Sequence, residues 1–402
     1  MQKKFVLVEF SPSGQGNYDI STAKSLGLNP IILTQSSAQR GLDYAVNLDT
    51  FDQRKVEFYC EELFKKHELL GISTTSEYHS PIVANIAKKF GLPGPNPDII
   101  KLCRSKRDVR NLIDTLGYNP KFRWVSSVRE AVEASLDIGF PVVVKPINLT
   151  GSALVRGCNS VEEVRSISSI LINLMEIDRI KLEKGILIEK MAEGEEFSVE
   201  LINGKAVGIT TKVLSPLPYF IEIGLDYPAC LPSNDTSTLI TSAEKIAEAI
   251  GLNWGPAHIE IRLCAEGPIL MEVNPRIGGV PIPELIELAT GYNMLADYFR
   301  LCSGIPCIWP SNKKNNIKKF SSVRSIIIEK SGILKEVNGL DFAKSLPGVF
   351  DIHFNKNRLG KKCTIQGSNG DLLVDIITVG NTLEESIAYA EAACKEISMV
   401  IE

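Results

Sequence analysis

The residues with the clearest chemical potential in this sequence are two glutamates in consecutive β-branched runs. Glu260 lies in His258-Ile-Glu-Ile-Arg262, and Glu272 lies in the run that follows a turn around Ala265–Pro268. A hairpin would place the two carboxylates side by side, where like charges are destabilising unless a cation lies between them. The pair therefore predicts a cation site, with an exposed polar strand face as the alternative for Glu272 alone.

The residues after Glu272 extend this pattern along the chain. Asn274 lies two residues further on the same strand face, so that Glu260, Glu272 and Asn274 offer the all-oxygen ligand set that Mg²⁺ prefers. Arg276 follows on that face, where a guanidinium can hold a transferring phosphoryl group or a carboxylate through two hydrogen bonds. With the Gly278-Gly279 turn behind it, Glu-x-Asn-x-Arg predicts a phosphoryl-transfer site at which Arg276 and Gly279 face the substrate.

A lysine at the end of an apolar strand is a second candidate. Lys145 ends the run Pro141-Val-Val-Val-Lys145 and precedes the loop Asn148-Leu-Thr-Gly-Ser-Ala153. Its ammonium group can neutralise phosphate oxygens while the N–H groups of the loop, which includes Ser152, close over them. The loop is not a Walker A sequence, and a strand-end lysine that points to solvent is the alternative.

A nucleotide base has a natural place at the end of the apolar run Ile186–Met191. Backbone groups at Glu189, Lys190 and Met191 would bond the edge of a purine, and Glu196 would bind ribose hydroxyls. A solvated acidic turn is the alternative for this stretch. His258, two residues before Glu260 on the same strand face, is placed to line an acceptor pocket, with a structural role as its alternative.

The pattern of segments divides the chain into three parts. Up to about residue 100, short apolar strands alternate with amphipathic helices, which is typical of βαβ units and an α/β fold. The middle is rich in antiparallel strand pairs between helices, which indicates an α+β fold. The basic polar stretch Asn312–Lys319 is interpreted as a linker. The part after it contains predicted strands at Ser322–Lys330, Val349–Phe354 and Leu372–Gly380 and a predicted helix over Thr382–Val400.

Composition argues against several classes of protein. Lys plus Arg number 44 and Asp plus Glu 48, a net charge of −4, so the chain lacks the basic excess typical of nucleic-acid binders. The nine cysteines contain no C-x-x-C, which argues against a disulfide framework or a structural zinc site. No apolar stretch approaches the about 20 residues that cross a bilayer, and the N-terminal run is interrupted by Glu9. We therefore expect a cytoplasmic protein without nucleic-acid or membrane partners.

These stretches, in this order, resemble the ATP-grasp superfamily, and within it the carboxylate–amine ligases that include the bacilysin-type L-amino acid ligases. The resemblance implies an ATP-grasp fold of mixed α/β and α+β class. Its three parts would be a Rossmann-like pre-ATP-grasp domain at 1–103, an ATP-grasp domain at 104–310 with a mobile lid at about 140–212, and a C-terminal α+β domain at 311–402. It also implies ATP and Mg²⁺ as cofactors, with Mn²⁺ as an alternative ion, and a homodimer by analogy.

The resemblance further implies roles for individual residues. Lys106 and Lys145 would contact ATP phosphates, whereas the sequence alone places Lys106 in a cluster of basic residues on a surface helix. Tyr219–Ala229 resembles the substrate segment of amino acid ligases, in which Glu222 would bind an α-ammonium group. The histidine that usually follows three residues later is Leu225 here, so a simple dipeptide product does not follow from the resemblance.

The implied reaction has two steps. A substrate carboxylate attacks the γ-phosphate of ATP to give ADP and an acyl phosphate, and an amine then displaces phosphate to form an amide. Lys145, Glu272 and Arg276 would be the catalytic residues, and the substrates would be a small carboxylic or amino acid and an amine. Two alternatives remain open: a carboxylase or purine-biosynthesis-type ligase with the same fold, and a nucleotide-binding protein that has lost turnover.

Overall fold

The computed structural model describes residues 3–9, 16–35, 44–279, 281–309 and 317–402. The glycines of Gly14-Gln-Gly16 indicate a tight turn in the sequence, but most of this stretch lies outside the described residues, as does most of the basic stretch Asn312–Lys319. The described parts of the chain form two four-stranded sheets, one eight-stranded sheet and two smaller sheets. None of the helices in these parts is both long enough and apolar enough to cross a membrane.

The first part of the chain forms a parallel sheet with helices on both faces. Its elements are β1 (Lys3–Val8), α1 (Gly16–Ser25), β2 (Pro30–Thr34), β3 (Ala45–Asn47), α2 (Gln53–Lys66), β4 (Glu68–Ser73) and α3 (Ser80–Phe90). The strand order is β3-β2-β1-β4. Phe5 and Leu7 pack with α1, and Val6 and Val8 pack with α2 and α3 on the other face. Because both faces are covered, the strands are almost continuously apolar, and the predicted alternation of strands and helices is confirmed.

The second part forms an antiparallel sheet with strand order β5-β10-β6-β7. Its elements are α4 (Pro97–Cys103), α5 (Lys106–Leu112), β5 (Phe122–Val125), α6 (Val128–Ile138), β6 (Val142–Pro146), β7 (Arg156–Cys158), α7 (Val161–Leu171), β8 (Glu176–Ile177), β9 (Ile180–Lys181) and β10 (Ile186–Lys190). The hydroxyls of Ser127 and Ser160 cap α6 and α7, whose apolar faces pack on the sheet. The sequence predicts a helix over Lys106–Leu116, but α5 ends at Leu112 and a 3₁₀ turn covers Asp114–Leu116.

The eight-stranded sheet joins the middle of the chain to its last part, in the order β15-β14-β11-β12-β13-β16-β20-β18. The elements of the middle are β11 (Glu195–Ile202), β12 (Lys205–Leu214), β13 (Glu222–Tyr227), α8 (Ser233–Ile250), β14 (Pro256–Cys264), β15 (Gly267–Asn274), α9 (Ile282–Thr290) and α10 (Met294–Cys302). Those that follow are β16 (Phe320–Ile327), β17 (Gly332–Asn338), α11 (Leu340–Lys344), β18 (Val349–Phe354), β19 (Lys362–Cys363), β20 (Leu372–Gly380), α12 (Leu383–Lys395) and β21 (Ser398–Ile401). This sheet crosses the predicted boundary at residues 310 and 311, and the division into domains stays a prediction.

The structure corrects the C-terminal helix predicted over Thr382–Val400. The helix α12 ends at Lys395, and the chain then forms β21, which pairs antiparallel with β17. Ile401 packs beside Leu334 in the core of this part of the chain. Pairing with β17 and burial of Ile401 therefore prevail over the helical pattern that the sequence continues to Val400.

We expect the contact between α10 and the first sheet to be important for stability. Phe299 is fully buried, and its ring centroid lies 5.3 Å from that of Phe5. Phe299→Ala should lower the free energy of unfolding by about 3–5 kcal/mol in urea denaturation, because it leaves a cavity in this core. Phe58→Ala on the exposed face of α2 is the matched control and should change it by less than about 1 kcal/mol. Equal effects of the two variants would contradict this role.

Candidate active site

The two glutamates at the centre of the prediction lie directly opposite each other in the β14–β15 hairpin. Glu260 is the cross-strand partner of Glu272, with a bulge in the register immediately after Glu260. Lys212 Nζ lies 3.0 Å from Glu260 Oε1, and Lys106 Nζ lies 2.9 Å from Glu272 Oε1. The predicted side-by-side arrangement is therefore present, and each carboxylate already faces an ammonium group.

The electrostatic environments of the two carboxylates differ. Although burial opposes ionisation, Lys212 and His258 lower the pKa of Glu260 well below its ordinary value. Burial raises the pKa of Glu272, and the neighbouring carboxylates Glu260 and Glu77 raise it further against the opposing effect of Lys106. An ionised Glu272 thus gains from additional positive charge, which is the property expected of a metal ligand beside a second carboxylate.

Asn274 and Arg276 meet a carboxylate from the first part of the chain. Arg276 Nε donates a hydrogen bond of 2.9 Å to Glu77 Oε2, and Arg104 forms an ion pair with the same carboxylate. The Asn274 amide lies against Glu77 and, oriented to donate, places its nitrogen 2.6 Å from Oε2. Glu77 follows β4 at the carboxyl end of a parallel sheet, where ligands commonly bind, and that position is the signal that sequence reasoning missed.

The donor set of the predicted metal site consists of Glu260, Glu272 and Asn274. Two carboxylates and one amide carry hard oxygens, which suit Mg²⁺. Across the described residues, no group of three or more His, Cys, Asp or Glu side chains forms a metal-ligand cluster. The predicted set has two such side chains, and it fits a cation that is also coordinated by phosphate oxygens.

Lys145 is buried in an ion-pair network and does not point to solvent. Its Nζ lies 2.7 Å from Glu189 Oε2, and Arg110 Nε donates 2.9 Å to Glu189 Oε1. Burial lowers the pKa of Lys145 to about 8, and Arg110 and Lys106 act in the same direction against Glu189. Burial also opposes ionisation of Glu189, but Arg110 and Lys145 lower its pKa to about 2. The Glu189 side chain therefore holds Lys145 in place. Arg110 is a further residue of this ion-pair network, and sequence reasoning did not find it.

One cavity collects nearly all of the predicted nucleotide-binding residues. It is lined by both carboxylates of the hairpin and by Lys106, Lys145, Ser152, Glu189, Lys190 and Glu196. Lys106 is largely buried here, which overturns its placement on a surface helix. Met191 is not among the residues that line this cavity, and its N–H, predicted to bond a purine, donates to the Pro141 carbonyl at 3.1 Å. Ala192, one residue further, lines the cavity instead.

A second cavity, of about 430 Å³, collects the predicted substrate residues. Glu222, His258, Arg276 and Gly279 line it together with Leu225. Glu260 lines both cavities, so the nucleotide and substrate residues meet at the glutamate hairpin.

A buried lysine that sequence reasoning missed connects the two cavities. Lys212 Nζ lies 3.0 Å from Glu196, 3.1 Å from Glu222 and 3.0 Å from Glu260. Its side chain is 1% exposed, and although burial opposes its charge, the three carboxylates raise its pKa well above the ordinary value. The available signal was its register, since Lys212 lies opposite Glu196 on the next strand.

His258 is held between two carboxylates of the same sheet. Its Nδ1 lies 2.5 Å from Glu200 Oε1, and its Nε2 lies 3.0 Å from Glu260 Oε1. Burial opposes a charge on the ring, but Glu200 and Glu260 raise the pKa of His258 to about 10. The imidazolium therefore adds positive charge beside Glu260.

We expect Lys212 to be essential for the stability of the site. Lys212→Met should lower the free energy of unfolding by about 3–5 kcal/mol, because it leaves three carboxylates without their shared cation. Lys205→Met removes the exposed ion pair with Glu244 and should cost less than about 1 kcal/mol. Urea denaturation at pH 7 measures both values, and a Lys212 variant as stable as the Lys205 variant would refute this role.

Comparison with known proteins identifies two domains in the chain. Residues 138–284 match the ATP-grasp domain, and residues 324–402 match the L-amino acid ligase C-terminal domain 2. The uncharacterized protein y4rH of Sinorhizobium fredii is 28% identical over 360 residues, which cover 88% of this chain and 73% of that protein. Carnosine synthase 1 of Gallus gallus is 30% identical over 130 residues, which cover 31% of this chain and 14% of that protein.

A solved structure extends the likeness to the whole chain. The L-amino acid ligase from Bacillus licheniformis superposes with a TM-score of 0.85 at 21% identity and covers 100% of this chain and 99% of its own. This superposition establishes the fold. The two matched domains lie on either side of the predicted domain boundary at residues 310 and 311. The chain therefore contains an ATP-grasp domain and an L-amino acid ligase C-terminal domain 2, in the fold of a solved L-amino acid ligase.

Proposed function

We propose that this protein is an ATP- and Mg²⁺-dependent ligase that joins a small carboxylic or amino acid to an amine and releases ADP and phosphate. The observation that supports it is the junction at Glu260 between the two cavities. The first cavity has lysines for phosphate oxygens, and the second has Arg276 and the acidic Glu222. A carboxylate in the second cavity would therefore approach a γ-phosphate held in the first.

The phosphate-binding part of the proposal assigns Lys106 and Lys145 to ATP oxygens. Each lysine is paired with a carboxylate, Glu272 or Glu189, which holds its Nζ in position before ATP arrives. The backbone at Lys190 and the side chain of Glu196 would hold adenine and ribose, respectively. Ser152 donates to the Phe220 carbonyl at 2.7 Å, which fixes the loop that would cover the phosphates. Binding and orientation are the main contributions of these residues.

Glu260, Glu272 and Asn274 would hold the metal ion, which is Mg²⁺ or alternatively Mn²⁺. When bound, the ion supplies charge neutralisation and polarisation of the phosphoryl group. Attack of the substrate carboxylate oxygen on the γ-phosphorus breaks the bond to ADP and forms an acyl phosphate. Arg276 would stabilise the negative charge of this acyl phosphate and of the tetrahedral state in which the amine expels phosphate.

The substrate part of the proposal concerns Glu222, His258 and Gly279. Glu222 would bind the α-ammonium group of an amino acid, and the open space at the position of the missing Cβ of Gly279 would leave room for the substrate. Leu225 contributes an apolar surface to the same cavity. An amino acid with a side chain that extends over Leu225 is therefore a suitable substrate.

Three further expectations belong to this proposal. The domains would be residues 1–103, 104–310 and 311–402, with a lid at about 140–212, and two chains would form a homodimer. The site of action would be the cytoplasm, which suits the nine free cysteines.

Trapping with hydroxylamine tests the proposed reaction. The protein is incubated with MgATP, hydroxylamine and an array of carboxylic and amino acids, and hydroxamates and ADP are measured. If an acyl phosphate forms, each ADP released is accompanied by one hydroxamate and one phosphate. A carboxylase would instead release ADP when bicarbonate is the substrate, and it would form no hydroxamate. Absence of ADP release with every acid and with bicarbonate would favour the nucleotide-binding protein that has lost turnover.

The hairpin carboxylates provide the matching variant test. Glu272→Gln should lower hydroxamate formation by about 100-fold or more, because it removes a charged ligand that must neutralise the metal–phosphate site. Glu266→Gln changes an exposed glutamate at the tip of the same hairpin and should leave the rate unchanged. Full activity of the Glu272 variant would contradict the metal assignment.

A further inference from the structure

The wall of the second cavity that comes from the last part of the chain carries a row of polar side chains. Ser325 on β16 and His353 on β18 both lie opposite Asp375, on the central strand β20. All three line the cavity together with the apolar residues Leu373 and Val323. None of these residues belongs to the nucleotide site or to the predicted catalytic set.

Asp375 forms no ion pair within the described residues, although His353 lies on the neighbouring strand. Its side chain is buried, with the residue only 8% exposed, and its one hydrogen bond comes from Ser325 Oγ at 2.6 Å to Oδ1. His353 makes no hydrogen bond to it, because Nε2 faces Asp351 at 3.6 Å and Nδ1 is buried without a partner. Arg358, on the same wall, donates to the Gly370 carbonyl at 2.6 Å.

The other acidic groups near the hairpin differ from Asp375 because each of them forms an ion pair. Glu189 pairs with Lys145, and Glu272 pairs with Lys106. Glu260 and Glu222 share the ammonium group of Lys212. Burial raises the pKa of Asp375 against the opposing effects of the Ser325 hydrogen bond and of His353, and the nearby Glu222 carboxylate raises it further. An ionised Asp375 is therefore costly until a cation enters the cavity.

We propose that Asp375 binds an ammonium group of the substrate in this cavity, so that the ligase uses a basic amino acid or a diamine as one of its two substrates. The inference rests on the proposed function, because it assigns this cavity to a ligase substrate. Glu222 places a second carboxylate in the same cavity, and it shares the ammonium group of Lys212 with two other carboxylates. A neutral side chain at this place would leave the Asp375 carboxylate buried without a counter-charge.

Isothermal titration calorimetry of the full chain with MgADP tests this inference with matched probes. L-lysine is compared with L-norleucine, and cadaverine with n-pentylamine, so that each pair differs mainly in one ammonium group. We expect L-lysine or cadaverine to bind about tenfold or more tightly than its neutral counterpart. Tight binding of L-lysine alone identifies a basic amino acid, and tight binding of cadaverine as well identifies a diamine.

Asp375→Asn is the decisive variant, because it removes the charge while keeping an oxygen for the Ser325 hydroxyl. It should reduce the preference for the cationic probe to less than about twofold. Asp341→Asn, an exposed change in α11, should keep the full preference. Equal binding of charged and neutral probes by the unmodified protein, or an unchanged preference in the Asp375 variant, would overturn the inference.

The binding result separates this inference from the proposed function. A protein that forms hydroxamates but does not distinguish L-lysine from L-norleucine or cadaverine from n-pentylamine retains the function and refutes the role of Asp375. A protein that prefers the cationic probes but forms no hydroxamate with any acid supports the ammonium site and refutes the ligase reaction.

Discussion

The ammonium group of Lys212 is the interaction on which the arrangement of the site depends. It brings together carboxylates from three strands of the eight-stranded sheet, Glu196, Glu222 and Glu260. Glu196 faces the nucleotide cavity, Glu222 faces the substrate cavity and Glu260 faces both. Without this shared cation, the three negative charges would repel one another inside a buried region. One buried lysine therefore permits a nucleotide pocket and a substrate pocket to adjoin.

Other buried carboxylates near the site are also compensated by lysine or arginine side chains. Lys145 and Arg110 compensate Glu189, and Arg276 and Arg104 compensate Glu77. Glu77 comes from the first part of the chain and Arg276 lies two residues after the end of β15, so their ion pair joins two distant segments at the substrate cavity. These pairs hold their cations in fixed positions, which lowers the cost of orienting them around a phosphoryl group.

The part of the site that could be predicted from the sequence is local. Glu260, Glu272, Asn274 and Arg276 lie within one hairpin and the residues after it, where the two-residue period of a strand determines which side chains share a face. Glu77 and Lys212 were missed, because their roles arise from contacts with residues far away in sequence. The same distinction between local patterns and contacts with distant residues applies to the fold. The βαβ alternation was predictable from its apolar runs, whereas the last strand, β21, depends on its distant partner β17.

The central claim is that the substrate carboxylate is activated as an acyl phosphate. Its most direct test uses an acid that forms a hydroxamate, labelled with ¹⁸O at both carboxylate oxygens, together with MgATP and an amine. Mass spectrometry of the inorganic phosphate measures where the label goes. We predict that each turnover transfers one ¹⁸O atom to phosphate and leaves the other in the amide. Amide formation with unlabelled phosphate would contradict the account.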